Sequence, residues 1–387
     1  MYRVTNLAHD MTCAFFAYIG PSCCLRAELS GRGEMSGQVH IFSVGDENTT
    51  ARYFERVMQA EGSRYTYWDK CPRIKSIEAG DLFFFVDPAP DWPLGMESIP
   101  CTTAAYLIDV HQDLASRIRL SRFFDVLFVA QKDFVAKFEE IGHPSVHWLP
   151  LACDPDIHSH PSEARQFDVG FVGKLGLQGT WRRDVLATVL PRYRTNDYRK
   201  FYSPPAMADV YGQSKIVFNV SINGDLNMRF FEALASGALL VTDRIKNGLE
   251  ELFIEGKHYV GYTTVEEAIE KIDYYLANPE ERMKIAAAGQ KLALNSHTYR
   301  HRWKYVAKYA TTTEKQSPAR EASQAELGRL YAEIFVSLRK PWRIHGMMRH
   351  YGMSFPVLIN LMRAWGRWIN ARVPVTPNAM RARLRAK

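Results

Sequence analysis

Long apolar runs are missing from this chain of 387 residues. No stretch reaches the ~18–20 uninterrupted apolar residues of a spanning helix, which excludes an integral helical membrane protein. Paired cysteines are missing as well. Cys13, Cys23, Cys24, Cys71, Cys101 and Cys153 form no Cys-x-x-Cys pair and have no histidines at zinc spacing, so neither a disulfide scaffold nor a metal site is supported. A reduced, cytoplasmic compartment fits that usage. The nearest thing to a secretory signal, residues 11–20, is short, runs into Pro21 and is preceded only by Arg3 against Asp10, so we read it as no signal. Internal repeats are absent too, and 47% hydrophobic with 24% charged residues is the composition of an ordered globular protein, which excludes collagen, coiled coil and bulk disorder.

Charge is present but unevenly spread. The net +7 divides into a surplus of basic residues from His301 onward, 17 Lys and Arg against 4 Asp and Glu, and a mildly acidic remainder. A basic tail on an acidic body is expected where one segment meets an anionic surface. No nucleic-acid reading module accompanies these residues, so nucleic acid is not an expected partner.

The first 34 residues have weak periodicity and end in Ser30-Gly31-Arg32-Gly33-Glu34, an appendage directly before Met35, where translation is expected to begin natively. From Val39 onward, short apolar runs (39–44, 82–86, 104–108, 126–130, 146–149) alternate with helical patterns (49–61, 112–122, 132–141), the signature of a parallel α/β sheet. Pro150, Pro155 and His158-Ser159-His160-Pro161-Ser162 break the rhythm. It restarts with strands predicted at 169–172, 216–220 and 238–242 and helices at 182–190, 206–213, 229–236, 265–277 and 280–294. The expected architecture is an acceptor-side Rossmann-like domain (35–157), a second Rossmann-like domain (158–300) and a basic helical tail (301–387). Doubly wound sheets bind ligands beyond their C-terminal strand ends, so two facing domains enclose a cleft.

The most informative segment runs from Asn219 to Asp243 as strand, loop, helix, glycine stop and strand. Arg229 and Glu232 are expected in the first turn of its helix, where backbone N–H groups and the helix dipole favour anions, so that Arg229 completes a phosphate site. Glu232 is then placed for a ribose hydroxyl pair, with a helix-start carboxylate matching the dipole as the competing explanation. Asp109 and His111, two apart at a predicted strand end, face one side if that segment is extended. For Asp109 or Asp113, a cap on the following helix competes with that role.

This segment resembles the donor-binding half of GT-B glycosyltransferases of the "glycosyl transferases group 1" type, related to the spore-maturation CgeB group. Phe171-Val172-Gly173-Lys174-Leu175, followed by Arg182 and Arg183, is similar to that family's first C-terminal-domain strand and phosphate-facing loop. Residues 202–216 resemble its nucleotide-side helix and next strand, while 106–111 and 148–155 resemble an N-terminal-domain strand end and the passage between domains. The resemblance spans roughly residues 80–300 in matching order. It implies transfer of a sugar from a nucleotide-sugar donor to a glycan, lipid-linked saccharide or surface-polymer acceptor. The donor residues it implies are Gly173, Lys174, Arg182, Asn227, Arg229 and Glu232. Neither metal nor cofactor is expected, because basic side chains and a helix N-terminus stabilise the leaving diphosphate. One departure bears on stereochemistry: retaining relatives carry Glu-x7-Glu, and the position paired with Glu232 is Gly224, with Asp225 one place off. An inverting reaction needs a base near the acceptor, for which Asp109, His111 and Asp87 are available. Two other readings stay open at this stage, a nucleotide-sugar epimerase on the same frame and a non-catalytic nucleotide-sugar-binding or coat-assembly protein.

Within the tail, Phe355, Leu358, Ile359, Met362, Trp365 and Ile369 recur at helical spacing between arginines, an amphipathic basic helix. Such a face suits the inner surface of an anionic plasma membrane or a dock on the protein's own body. Residues 311–318 read as a polar linker.

Overall fold

The computed structural model describes residues 37–162, 164–352 and 355–372. The expected appendage, its Met35 start and the chain beyond 372 lie outside those residues. The first half contains β1 (Val39–Phe42), α1 (Thr50–Glu61), β2 (Tyr65–Trp68), β3 (Leu82–Val86), β4 (Thr102–Leu107), α2 (Leu114–Ser121), β5 (Val126–Val129), α3 (Val135–Glu139) and β6 (Val146–Trp148). After α4 (Pro155–His158) come β7 (Phe167–Gly170), α5 (Trp181–Val189), α6 (Pro204–Gly212), β8 (Ser214–Asn219), α7 (Met228–Ala235), β9 (Leu239–Asp243), α8 (Leu249–Leu252) and β10 (Val260–Tyr262). Six helices close the described chain: α9 (Val265–Ala277), α10 (Pro279–Ser296), α11 (Tyr299–Thr312), α12 (Gln324–Ser337), α13 (Pro341–Tyr351) and α14 (Phe355–Arg372).

Both sheets are parallel throughout. The first has order β2-β1-β3-β4-β5-β6 and the second β10-β9-β8-β7. Strand β3 is buried along its whole length, Leu-Phe-Phe-Phe-Val, as expected where helices cover both faces of a parallel sheet. Val39 pairs with Leu82 and Phe84 with Ala104, which turns Phe84 and Tyr106 toward Phe54 and Trp303, and Phe83 and Phe85 to the opposite face. Of the four edge strands, β6 and β7 overlap runs expected from the sequence, whereas β2, half-buried throughout, and the three-residue β10 were not expected.

The tail is not detached from the body. Helix α11 packs on α1, β4 and β5, crossing back to the first sheet, and places Trp303 and Val306 in a core shared by both domains. The crossover from β3 to β4 carries only a 3-10 turn, Met96–Ser98, and α12 fills the helix layer there with Leu327, Tyr331 and Phe335. The Tyr331 hydroxyl accepts from the Met96 N–H at 2.9 Å and donates to Glu97 at 2.7 Å. The expected linker loses its first two residues to α11 and otherwise lies between α11 and α12, where it is pinned, since the buried Asp125 carboxylate accepts from Ser317 N–H at 2.9 Å and from Arg320 at 3.1 Å.

Two passages join the domains side by side. Cys153 N–H donates to His297 O and Tyr299 N–H to Cys153 O, each at 3.0 Å. The buried Arg302 guanidinium donates to Pro150 O at 2.7 Å and Leu151 O at 3.0 Å, satisfying carbonyls that no sheet ladder uses.

Candidate functional site

The C-terminal ends of β7 and β8, the loop after β8 and the start of α7 converge on Gly173. With φ at +148° and no Cβ, Gly173 leaves room for two arginines; a Cβ there would lie 2.0 Å from Arg229 Nη2 and 3.5 Å from Arg182 Nη2. Arg229 is held by donation from Nε to Val172 O (2.7 Å) and from Nη1 to Asn219 Oδ1 (2.7 Å). Arg182 donates from Nε to Lys174 O at 2.8 Å and from Nη1 to Val220 O. Both guanidinium groups lie over the Phe171 ring, at 5.4 and 5.0 Å from its centroid for Arg182 and Arg229. Burial, reinforced by the like charge of Arg229, pushes Arg182 down to about 10. Two cations held this close, each turning an Nη2 toward a glycine, form a preorganised place for an anion.

Of the expected donor residues, Arg182 and Arg229 therefore meet. Arg183 and Lys174 are exposed, and Lys174 takes part through its carbonyl, which accepts from Arg182. Asn227 is the N-cap residue of α7, yet its side chain makes no cap hydrogen bond and its buried Oδ1 has no hydrogen-bond partner.

Glu232 corrects the sequence reading. Because α7 begins at Met228, no acidic residue occupies its first turn, and Glu232 falls in the second. It is buried against α4 and the tyrosines of α1 and α11, and desolvation raises its carboxyl to about 7, partly opposed by Arg229. His158 Nδ1 accepts from the Asp154 N–H at 3.0 Å, which leaves a proton on Nε2, 3.6 Å from Glu232. Burial lowers His158 to about 3, so this neutral imidazole faces Glu232 without forming an ion pair. Nε2 has no hydrogen-bond partner.

Across the cleft, the segment carrying Asp109 and His111 is not extended. Residues Val110–Gln112 form a 3-10 turn with Asp109 at its start, so strand alternation does not align the two side chains. Asp109 is exposed, and its N–H approaches Asp87 at 3.4 Å. Asp87 itself is engaged by Arg117 at 2.8 Å, and Asp113 caps α2 by accepting from Ser116 N–H at 3.1 Å. His111 differs: both ring nitrogens are buried without a partner, and it lies within electrostatic reach of Asp225, the carboxylate beside the missing glutamate position. Burial raises Asp225, while the Ile222 N–H, His111 and Arg229 pull it down.

Several site residues were not singled out from the sequence. Asn219 orients Arg229; Gln131, from the first domain, accepts from Leu226 N–H at 3.0 Å and from Asn247, tying the loop before α7 to the opposite sheet. Ser221 N–H donates to Asp243 at 2.8 Å. Isolated Asn and Gln side chains carry no spacing signal, so only the fold reveals these roles. Among the described residues no group of His, Cys, Asp and Glu is arranged to hold a metal ion.

Residues 158–308 match the model of a family described as glycosyl transferase-like. No match to the chain is found among curated proteins. Among solved structures, the chain is similar to HepE of Anabaena in complex with UDP and glucose, at 11% identity and a TM-score of 0.54 over 71% of this chain and 100% of that one. It is similar to a glycosyltransferase from Rickettsia africae at 10% identity and a TM-score of 0.51, over 72% of this chain and 99% of that one. The fold is thus GT-B, two Rossmann-like domains facing across a cleft, and the matched segment contains Gly173, both arginines and Glu232.

Proposed function

We propose that the chain is a glycosyltransferase that binds a nucleotide-sugar donor on its C-terminal domain and delivers the sugar to an acceptor hydroxyl entering from the N-terminal one. The observation that carries this is the pair of guanidinium groups converging on Gly173 at the start of α7. A diphosphate there meets Arg182 Nη2 and Arg229 Nη2, with Lys174 at the rim, and both arginines are already fixed by backbone carbonyls. Charge that develops on the diphosphate as the sugar–oxygen bond breaks is met without reorganisation. Glu232, one turn further along α7, accepts hydrogen bonds from the ribose hydroxyls. The reading is supported by HepE, whose structures contain UDP with glucose and, separately, UDP-glucose.

At the acceptor side we assign His111 rather than Asp109, because the His111 nitrogens are buried and uncommitted while Asp109 faces solvent. The acceptor hydroxyl gives its proton to the free ring nitrogen of His111 as its oxygen bonds to the sugar's anomeric carbon, the bond from that carbon to the diphosphate breaks, and the nucleoside diphosphate leaves with the bonding pair. The acceptor is a glycan, a lipid-linked saccharide or a surface polymer, and no metal is required, since the arginines compensate the leaving charge.

The test is a donor screen of the full chain against UDP-, GDP-, ADP-, CMP- and dTDP-sugars, reading thermal shift and slow release of nucleotide. One donor is expected to stabilise and turn over. Arg229→Ala should weaken its binding about ten- to a hundredfold, the worth of a charged hydrogen bond. EDTA should leave turnover unchanged. No stabilisation by any donor, or stabilisation unaffected by Arg229→Ala, would overturn the reading.

A further inference from the structure

The C-terminal helices leave one face uncovered. Helix α14 packs Val357 and Leu361 against α12 and the outer core of the first domain, so its dock on the body is made by that side. Leu358, Met362 and Trp365, at four- and three-residue spacing, share a different side and are exposed by 41%, 69% and 36%. Trp342 on α13 is half exposed. No helix among the described residues is long and apolar enough to cross a membrane.

Beside this stripe runs an open groove of about 730 Å³ between α2, α12 and α14, lined by Arg119, Arg339 and Arg363. Its two carboxylates are already engaged, Glu333 by Arg119 at 2.9 Å and Asp113 by Ser116. Arg339 and Arg363 have no ion-pair partner among the described residues. Arg339 adopts φ +56° just past the end of α12, a position where glycine is the unstrained choice, so an arginine is carried there against backbone preference.

Charge decides what covers the face. From Ile334 to Lys387 the sequence holds 11 Lys and Arg and no Asp or Glu. A symmetric dimer through this face would set like charges together, whereas an anionic bilayer complements them. Exposed Trp, Met and Leu flanked by arginine suit the headgroup boundary. We propose that this face seats the protein on an anionic lipid bilayer, the α14 stripe entering the headgroup boundary and Arg339 and Arg363 meeting lipid phosphates. The groove reaches Asp113, two residues past His111, so on the transferase reading above the same contact brings membrane-held acceptors toward the cleft.

The experiment is flotation of the full chain, without donor, on vesicles of phosphatidylcholine alone and of phosphatidylcholine with phosphatidylglycerol in equal parts. Its outcome is independent of donor chemistry. Flotation on the phosphatidylglycerol vesicles only, weakened by salt, is expected. Arg339→Gly and Arg363→Gln should each lower the partition about fivefold, and Met362→Ser with Trp365→Ser should lower it further. Glycine suits the backbone at 339, so Arg339→Gly should melt no lower than the parent, which separates lost binding from lost folding. The proposal fails if the parent stays unbound, if it floats equally on phosphatidylcholine, or if the variants float like the parent. It also fails if the stripe variants abolish self-association while flotation is unchanged.

Discussion

Glu232 concentrates the residue-scale physics. Burial holds its carboxyl at about 7, above the ordinary 4.5. Between those values the folded chain binds more protons than the unfolded one, so stability falls as pH rises through that window and the loss is complete above about 7. Glu232→Gln removes this loss. The variant should therefore melt close to the parent near pH 5 and gain on it near pH 8, by on the order of 2–3 kcal/mol in chemical unfolding. A gain that does not grow with pH would show that the carboxyl is not held protonated by burial. Donor affinity is expected to run the other way, rising through pH 7 as the carboxylate becomes the ribose acceptor. Sequence alone identified Glu232 but misjudged its setting, because the one-turn offset depends on where α7 starts. The signal for Arg182 was better: next to Arg183 in sequence, it is the one whose helical position turns it inward. Asn219 and Gln131 left no trace, since their roles come from elements distant in sequence meeting at one point.

At the scale of elements, strands buried on both faces were the most legible. β3 and β5 are uninterrupted apolar runs, and the helices between sheets show their period plainly. Two of the four edge strands, β2 and β10, were not, because Tyr-Thr-Tyr-Trp and Val-Gly-Tyr hold no aliphatic run long enough to stand out. The polar segment between α11 and α12 shows a further limit of composition. It reads as a linker, but Asp125 binds it to the first sheet through Ser317 N–H and Arg320 while also accepting from Thr103 N–H at 2.8 Å. Asp125→Ala leaves Arg320 with only the Ile99 and Cys101 carbonyls and strands the Ser317 and Thr103 N–H groups beside a buried core. A loss of roughly 3–5 kcal/mol is expected in denaturant unfolding, and Asp125→Asn should recover part of it. A cost under about 1 kcal/mol would show that water satisfies these groups instead.

For the whole molecule, the two-sheet frame followed from the alternation of strands and helices broken once near Pro150. What that alternation does not encode is how the chain returns. Helices α11 and α12 cover two faces of the first sheet from the far end of the sequence, and Arg302 locks the two passages between domains. A tail whose charge and helical period suited both a membrane surface and a dock on the body is thus divided into a packed part and an exposed face. The cleft that results sets His111 opposite Asp225 and the Arg182–Arg229 pair beside Glu232, and the transferase reading depends on that second pair most of all. Calorimetric titration of Gly173→Ala with the nucleoside diphosphate of the preferred donor tests it most directly, with Gly179→Ala as control. Both glycines have positive φ, but a Cβ at 179 meets nothing within 4 Å, whereas one at 173 displaces Arg229. Loss of affinity by about tenfold or more in Gly173→Ala, with Gly179→Ala near the parent, is the expected result. Equal affinity in all three proteins would contradict a diphosphate site at the two arginines.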